Sequence, residues 1–173
     1  MAMKEGTRRG LQLFSRRTAP FVKDTGAQRP PEMDDAGREA VPELYAGAGT
    51  VTKLLYGDPD GPDDGGMSLT WARFGANFPL PRHSHNVDCV YYIIAGSVQM
   101  GNQTLGAGDG FFAGADAPYG YTAGPDGVEL VEFRPKTCYD SRLRESPEGW
   151  TRIIDGVRAN RDAWVDELAP YRQ

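Results

Sequence analysis

Pro81-Arg82-His83-Ser84-His85-Asn86-Val87-Asp88-Cys89-Val90-Tyr91-Tyr92-Ile93-Ile94 is the stretch from which the rest of the chain can be read. It holds both histidines of the sequence and runs into a long apolar segment. Successive side chains of a strand alternate faces, so His83 and His85 share one, and continued parity adds Cys89 and Tyr91. Two imidazoles and a thiolate suit zinc, copper, nickel or iron. The pattern therefore predicts one divalent transition metal on His83, His85 and Cys89. Asp88 is a rival third donor if a turn follows His85, although parity disfavours it. Cys89 also has a purely structural reading, as a buried thiol behaving like a small apolar residue.

Around this stretch, short β-rich runs separated by turn residues occupy 50–56, 67–74, 88–94, 97–100, 103–105, 110–113, 118–123 and 128–134, the pattern of an all-β sandwich or barrel. The Gly/Asp/Pro segment 57–66 reads as an exposed loop, because Pro lacks the ladder donor and Gly and Asp favour turns. Gly101-Asn102 fits a tight hairpin, and 106–110 and 124–127 read as further turns. Beyond Pro135 the period becomes helical: Trp150, Ile153, Ile154 and Val157, then Trp164 and Leu168, mark a packing face that should cover one mouth or flank of the barrel. The first part of the chain mixes Arg, Pro, Gly and acids, with Pro30-Pro31 and Asp34-Asp35. The expected division is an extended polar arm over 1–45, a barrel over 46–135 and a helical segment over 136–173.

The spacing His83-x-His85-(x)3-Cys89-(x)6-Gly96 resembles the first motif of the cupin superfamily, G(X)5HXH(X)3–4E(X)6G, with Cys89 in the place of the acid. The second motif, G(X)5PXG(X)2H(X)3N, falls on Gly108-(x)5-Gly114-x-Asp116-(x)2-Tyr119-(x)3-Ala123, where the first glycine is kept and Tyr119 occupies the histidine position. The resemblance spans about 74–123 and implies a double-stranded β-helix, the jelly-roll barrel of the cupins. Such barrels are often dimeric, with a metal and a small substrate in the mouth. It carries the ligand positions onto His83, His85, Cys89 and Tyr119, the last as phenolate, hydrogen-bond donor or cavity wall. Tyr91, Tyr119 and Tyr121 are candidates to line the cavity. Glu129 and Glu132 cannot both face it, being three residues apart on one strand.

With 173 residues, 39% of them hydrophobic, 25% charged and a net charge of -5, the composition is that of one ordinary globular domain. The acidic balance argues against a nucleic-acid partner, whose phosphates need clustered Lys and Arg. Only the first residues are basic, with Lys4, Arg8, Arg9, Arg16 and Arg17 against Glu5, and they read as a solvated or subunit-packing arm. No run suits a signal peptide or a membrane span, and Cys89 and Cys138 read as two thiols, so a cytoplasmic protein is expected. GxGxxG, P-loop, GxSxG and CxxC motifs are all missing from the sequence.

Three functions follow. The first is a metal-dependent enzyme acting on a small organic substrate, of dioxygenase, isomerase or lyase class. The second is a metal-free small-molecule binding or sensory module, motivated by the two altered ligand positions. The third is a metal-free catalyst with Cys89 and Tyr119 as acid–base groups. A homodimer is the expected assembly.

Overall fold

One strand, β7 (Tyr119–Arg134), is 16 residues long and connects the two layers of the structure. The structure is a computed structural model that describes residues 11–59 and 66–172. Most of the basic start and the tip of the Gly/Asp/Pro loop therefore lie outside the described residues. Before β7 come β1 (Thr50–Tyr56), β2 (Ser68–Phe74), β3 (Pro79–Ser84), β4 (Cys89–Met100), β5 (Gln103–Gly106) and β6 (Gly110–Ala113), and after it the short β8 (Arg142–Leu143). All the ladders between these strands are antiparallel. The second half of β7 pairs with β2, its first half pairs with β3, and β4 follows it along both halves. The two long strands thus pass from one sheet to the other and close a jelly-roll barrel.

The sequence predicted two strands where β4 stands and two where β7 stands, with 124–127 as a turn. Instead the Gly residues in these stretches form corners within continuous strands. The β4–β7 ladder shifts register between Ile93 and Ala95 and between Gly96 and Val98. Gly96 has φ +73° and Gly127 has φ +70°. A Cβ on Gly96 would lie 2.1 Å from the Gly127 carbonyl oxygen, so the strands can bend this closely only where no side chain intervenes. Strand β3, which the sequence reading did not foresee, carries a register shift between Leu80 and His83.

The arm is not extended throughout. Residues Asp35–Ala46 form helix α1, capped by the Asp34 carboxylate, which accepts from the Gly37 amide at 2.8 Å. Val41 and Leu44 give it a buried face in spite of Pro42 within it. Upstream, 27–32 runs beside 139–143: the Tyr139 amide donates to Ala27, Arg29 to Tyr139, Glu32 to Ser141 and Leu143 to Glu32. Helix α2 (Pro147–Leu168) starts on a Ser146 cap and buries Trp150, Ile153, Ile154, Val157, Trp164 and Leu168, as the period predicted. Trp164 packs on Phe78 at 5.3 Å and donates to the Ala76 carbonyl at 2.8 Å. Among the described residues no helix is long and apolar enough to cross a membrane.

Two glycines of positive φ differ in their surroundings. Gly101 (φ +58°) has nothing within 4 Å of the point where a Cβ would stand, whereas Gly96 meets backbone there. Gly101→Ala should cost about 1–2 kcal/mol, the ordinary left-handed penalty. Gly96→Ala should cost clearly more in the same urea titration, and equal midpoints for the two variants would show that the corner does not constrain the strands.

Candidate functional site

Inside the barrel lies a cavity of about 140 Å³, lined by His83, His85, Tyr119, Tyr121, Glu132 and Arg134 among others. The irregularity in β3 comes just before His83, and a bulge of this kind re-aims the side chains that follow. His83 and His85 are 8% and 6% exposed, and their ring centroids are 4.9 Å apart, edge to face.

Backbone carbonyls set the chemistry of both rings. His83 Nδ1 lies 2.8 Å from the Pro81 carbonyl oxygen, and His85 Nδ1 lies 2.7 Å from that of Asp140. A carbonyl can only accept, so each Nδ1 carries the proton and each Nε2 keeps its lone pair. Burial holds the pKa of His83 below the usual histidine value. His85 is pushed down to about 3 by burial first, then by Arg134 and His83. Both rings are therefore neutral near pH 7, the state in which imidazole acts as a ligand or base.

Cys89 and Asp88 do not join the pair in a metal-holding group among the described residues. Cys89 is fully buried, and its thiol donates to the Val87 carbonyl two residues back at 3.6 Å. Burial raises its pKa, and its contacts with Arg134 and Tyr91 offset this only in part. Among the described residues no three His, Cys, Asp or Glu side chains form a metal-holding group, so the structure brings His83 and His85 together without adding Cys89. Cys89 nevertheless faces inward on β4 with Tyr91 and lies beside Arg134. Asp88 is also engaged elsewhere, accepting from the Ala115 amide at 2.8 Å.

Tyr119 stands opposite His83 in the β3–β7 ladder, with ring centroids 4.4 Å apart. Its hydroxyl shares a hydrogen bond with that of Tyr91. Tyr119 and Tyr121 line the cavity, while Tyr91 lies behind Tyr119, stacked on Phe111 at 4.4 Å. Burial pushes all three phenols well above their ordinary pKa, so they remain neutral.

Four residues of the site were missed or left without a role in the sequence reading: Glu132, Arg134, Tyr139 and Ser141. Glu132 and Arg134 continue inward the alternation begun by Val128 and Leu130, and that periodicity was the available signal. Arg134 Nη2 donates to Glu132 Oε2 at 2.5 Å, and the guanidinium lies 3.9 Å from the Tyr139 ring centroid. Glu129, on the other parity, accepts from Trp71 Nε1 at 2.7 Å. Tyr139 packs edge-on against His85 at 5.2 Å. The Ser141 hydroxyl lies 3.3 Å from His85 Nδ1 and accepts from the Gln28 amide at 2.9 Å, which ties the arm to the site.

The lowered pKa of His85 makes a prediction about stability. Between pH 6.5 and about 3 the unfolded chain binds a proton at this residue that the folded chain refuses. In the presence of a chelator, stability should be fully present above about pH 6.5 and fall as the pH drops through this window. His85→Gln should flatten that slope in urea titrations across the pH range, and an unchanged slope would show that His85 protonates freely in the fold.

No family model matches the chain, and no curated protein matches it. Solved structures do. The polyketide cyclase RemF from Streptomyces resistomycificus is 19% identical and aligns over 86% of this chain and 99% of its own, with a TM-score of 0.52. A protein of unknown function with a cupin-like fold from Ralstonia eutropha is 18% identical over 88% and 89% of the two chains, with a TM-score of 0.51. KdgF from Halomonas sp. is 23% identical over 51% of this chain and 82% of its own, with a TM-score of 0.41. At these identities the likeness is one of fold, and the fold of this chain is cupin-like.

Proposed function

We propose that the chain is a metal-dependent enzyme that acts on a small organic molecule in the barrel cavity. The observation that carries this reading is the histidine pair: two neutral rings side by side, each with Nδ1 tied to a carbonyl and Nε2 left for a ligand. The donor set fits a divalent transition metal (iron, zinc, copper or nickel) as an open site, with His83 and His85 as its protein ligands and Tyr119 beside them. When bound, such an ion supplies a Lewis acid for a substrate oxygen. The chain's own groups do the rest. Arg134 orients Glu132, the carboxylate of the cavity, and the paired hydroxyls of Tyr119 and Tyr91 can hold or pass a proton. RemF, a polyketide cyclase of the same fold, is an example of an enzyme acting on organic molecules from this scaffold.

A second reading, a metal-free binding module, is favoured by one observation: no third His, Cys, Asp or Glu joins the pair among the described residues. Elemental analysis separates the two. The enzyme reading expects close to one transition metal per chain after reconstitution, reduced at least about tenfold in His83→Ala/His85→Ala. A reconstituted wild type without metal would leave the binding module as the better account.

The homodimer is proposed on a separate surface. Val90, Tyr92, Ile94, Phe112 and Phe133 form an exposed apolar row on the outer face of β4 and its neighbours, with Val90 opposite both Phe112 and Phe133. Such a face suits a two-fold contact with a second copy of the chain. Sedimentation equilibrium should give a dimer that Tyr92→Glu converts to monomer, and a monomeric wild type would count against this assembly.

A further inference from the structure

Among the described residues several buried polar atoms at the Arg134 end of the cavity have no hydrogen-bond partner. Arg134 is 1% exposed and uses Nη2 on Glu132, while its Nε and Nη1 have no hydrogen-bond partner among the described residues. Ser68 stands opposite Arg134 and Thr70 opposite Glu132 in the β2–β7 ladder, and both hydroxyls are also buried without partners among the described residues. Leaving a buried charged donor unpaired is costlier than leaving a neutral one. Guanidinium offers only donors, arranged as a planar fork. Nε and Nη1 lie on opposite edges of that plane and Nη2 belongs to both, so the partner it suits is an acceptor with two oxygens seated on one edge and sharing Nη2 with Glu132, a carboxylate above all.

The rest of the cavity sets the body of such a ligand. Leu44, Phe74, Phe78 and Leu80 give it an apolar wall. A volume of about 140 Å³ accommodates a molecule of roughly benzene size. The charged side chains that line it are Arg134 and Glu132, which offset one another, while the histidines and tyrosines are neutral. A metal at the histidine pair would make the cavity net positive.

We propose that the cavity takes a small monocarboxylate with an apolar body about one ring in size, its carboxylate received at Arg134 and its body lying against the Phe74 and Phe78 wall. The proposal names the substrate class of the site and rests on reading that cavity as the place of chemistry. The occupant reaches Arg134 by replacing part of its contact with Glu132 or by adding to it, since the fork has donors to spare.

The test titrates matched probes, benzoate beside benzamide and butyrate beside butyramide, into the purified full chain before and after metal removal. Each acid should bind about 10- to 100-fold more tightly than its amide, the gain expected of hydrogen bonds to a charged group. The preference should shrink in Arg134→Lys, which keeps the charge and loses the fork. It should vanish in Arg134→Met/Glu132→Gln, which removes the pair together so that no lone buried charge unfolds the barrel. Acids and amides that bind alike, or no binding by any probe at millimolar concentration, would overturn the proposal. If the preference survives metal removal and depends on Arg134, the carboxylate assignment stands whatever the fate of the metal reading. A preference that disappears with the metal and persists in Arg134→Met/Glu132→Gln means that the ion reads the charge, and the assignment to Arg134 fails.

Discussion

The close approach of β4 and β7 at Gly96 and Gly127 is the constraint on which the rest of the structure depends. Two sheets enclose a cavity only if the strands they share can turn from one to the other, and a turn this tight puts backbone where a Cβ would stand. With the corner made, the first half of β7 delivers Tyr119 and Tyr121 beside β3, and its second half delivers Glu132 and Arg134 between β2 and β4. Both groups then reach one cavity from opposite ends of a single strand. The site is in this sense a product of the bend.

Inside that cavity the protein keeps its titratable groups in separate states. Burial keeps the histidines and phenols neutral, and Glu132 lies within hydrogen-bond distance of the buried Arg134 guanidinium. Backbone carbonyls, which mutation of side chains cannot easily remove, fix the tautomer of each imidazole. The free ring nitrogens are therefore set by the course of the chain at Pro81 and Asp140 as much as by the histidines themselves.

The barrel could be read from the sequence because alternation within a short run is a local property. His83 and His85, two residues apart, need only a few extended residues to share a face, and the structure places them together. Cys89 and Tyr91 share the inward face of β4, but Cys89 forms no three-donor group with the histidines among the described residues, a distance that alternation alone does not give. Glu132 and Arg134 were legible in principle from Val128 and Leu130, but charged residues at inward positions run against the expectation that they face water. Glycine misled in a different way. At 124–127 the same residues that make a turn also make a corner, and only the pairing partner distinguishes the two. The mixed Arg, Pro, Gly and acid texture of 1–45 likewise hid α1, whose cap at Asp34 and apolar spacing at Val41 and Leu44 outweigh the missing amide of Pro42.

The backbone pairing of 27–32 with 139–143 places two segments more than 100 residues apart in sequence against the same wall of the cavity. Tyr139 and Ser141 touch His85 from one of these segments, and Gln28 holds Ser141 from the other. Holding them together closes a loop of more than 100 residues, whose entropic cost is offset by these hydrogen bonds and by the packing of Tyr139 on His85. Occupancy and wall closure are consequently linked: a ligand that needs the closed wall makes its opening rarer, and anything that displaces the arm weakens the ligand by the same factor. The polar segment outside the barrel is in this way part of the cavity's own wall.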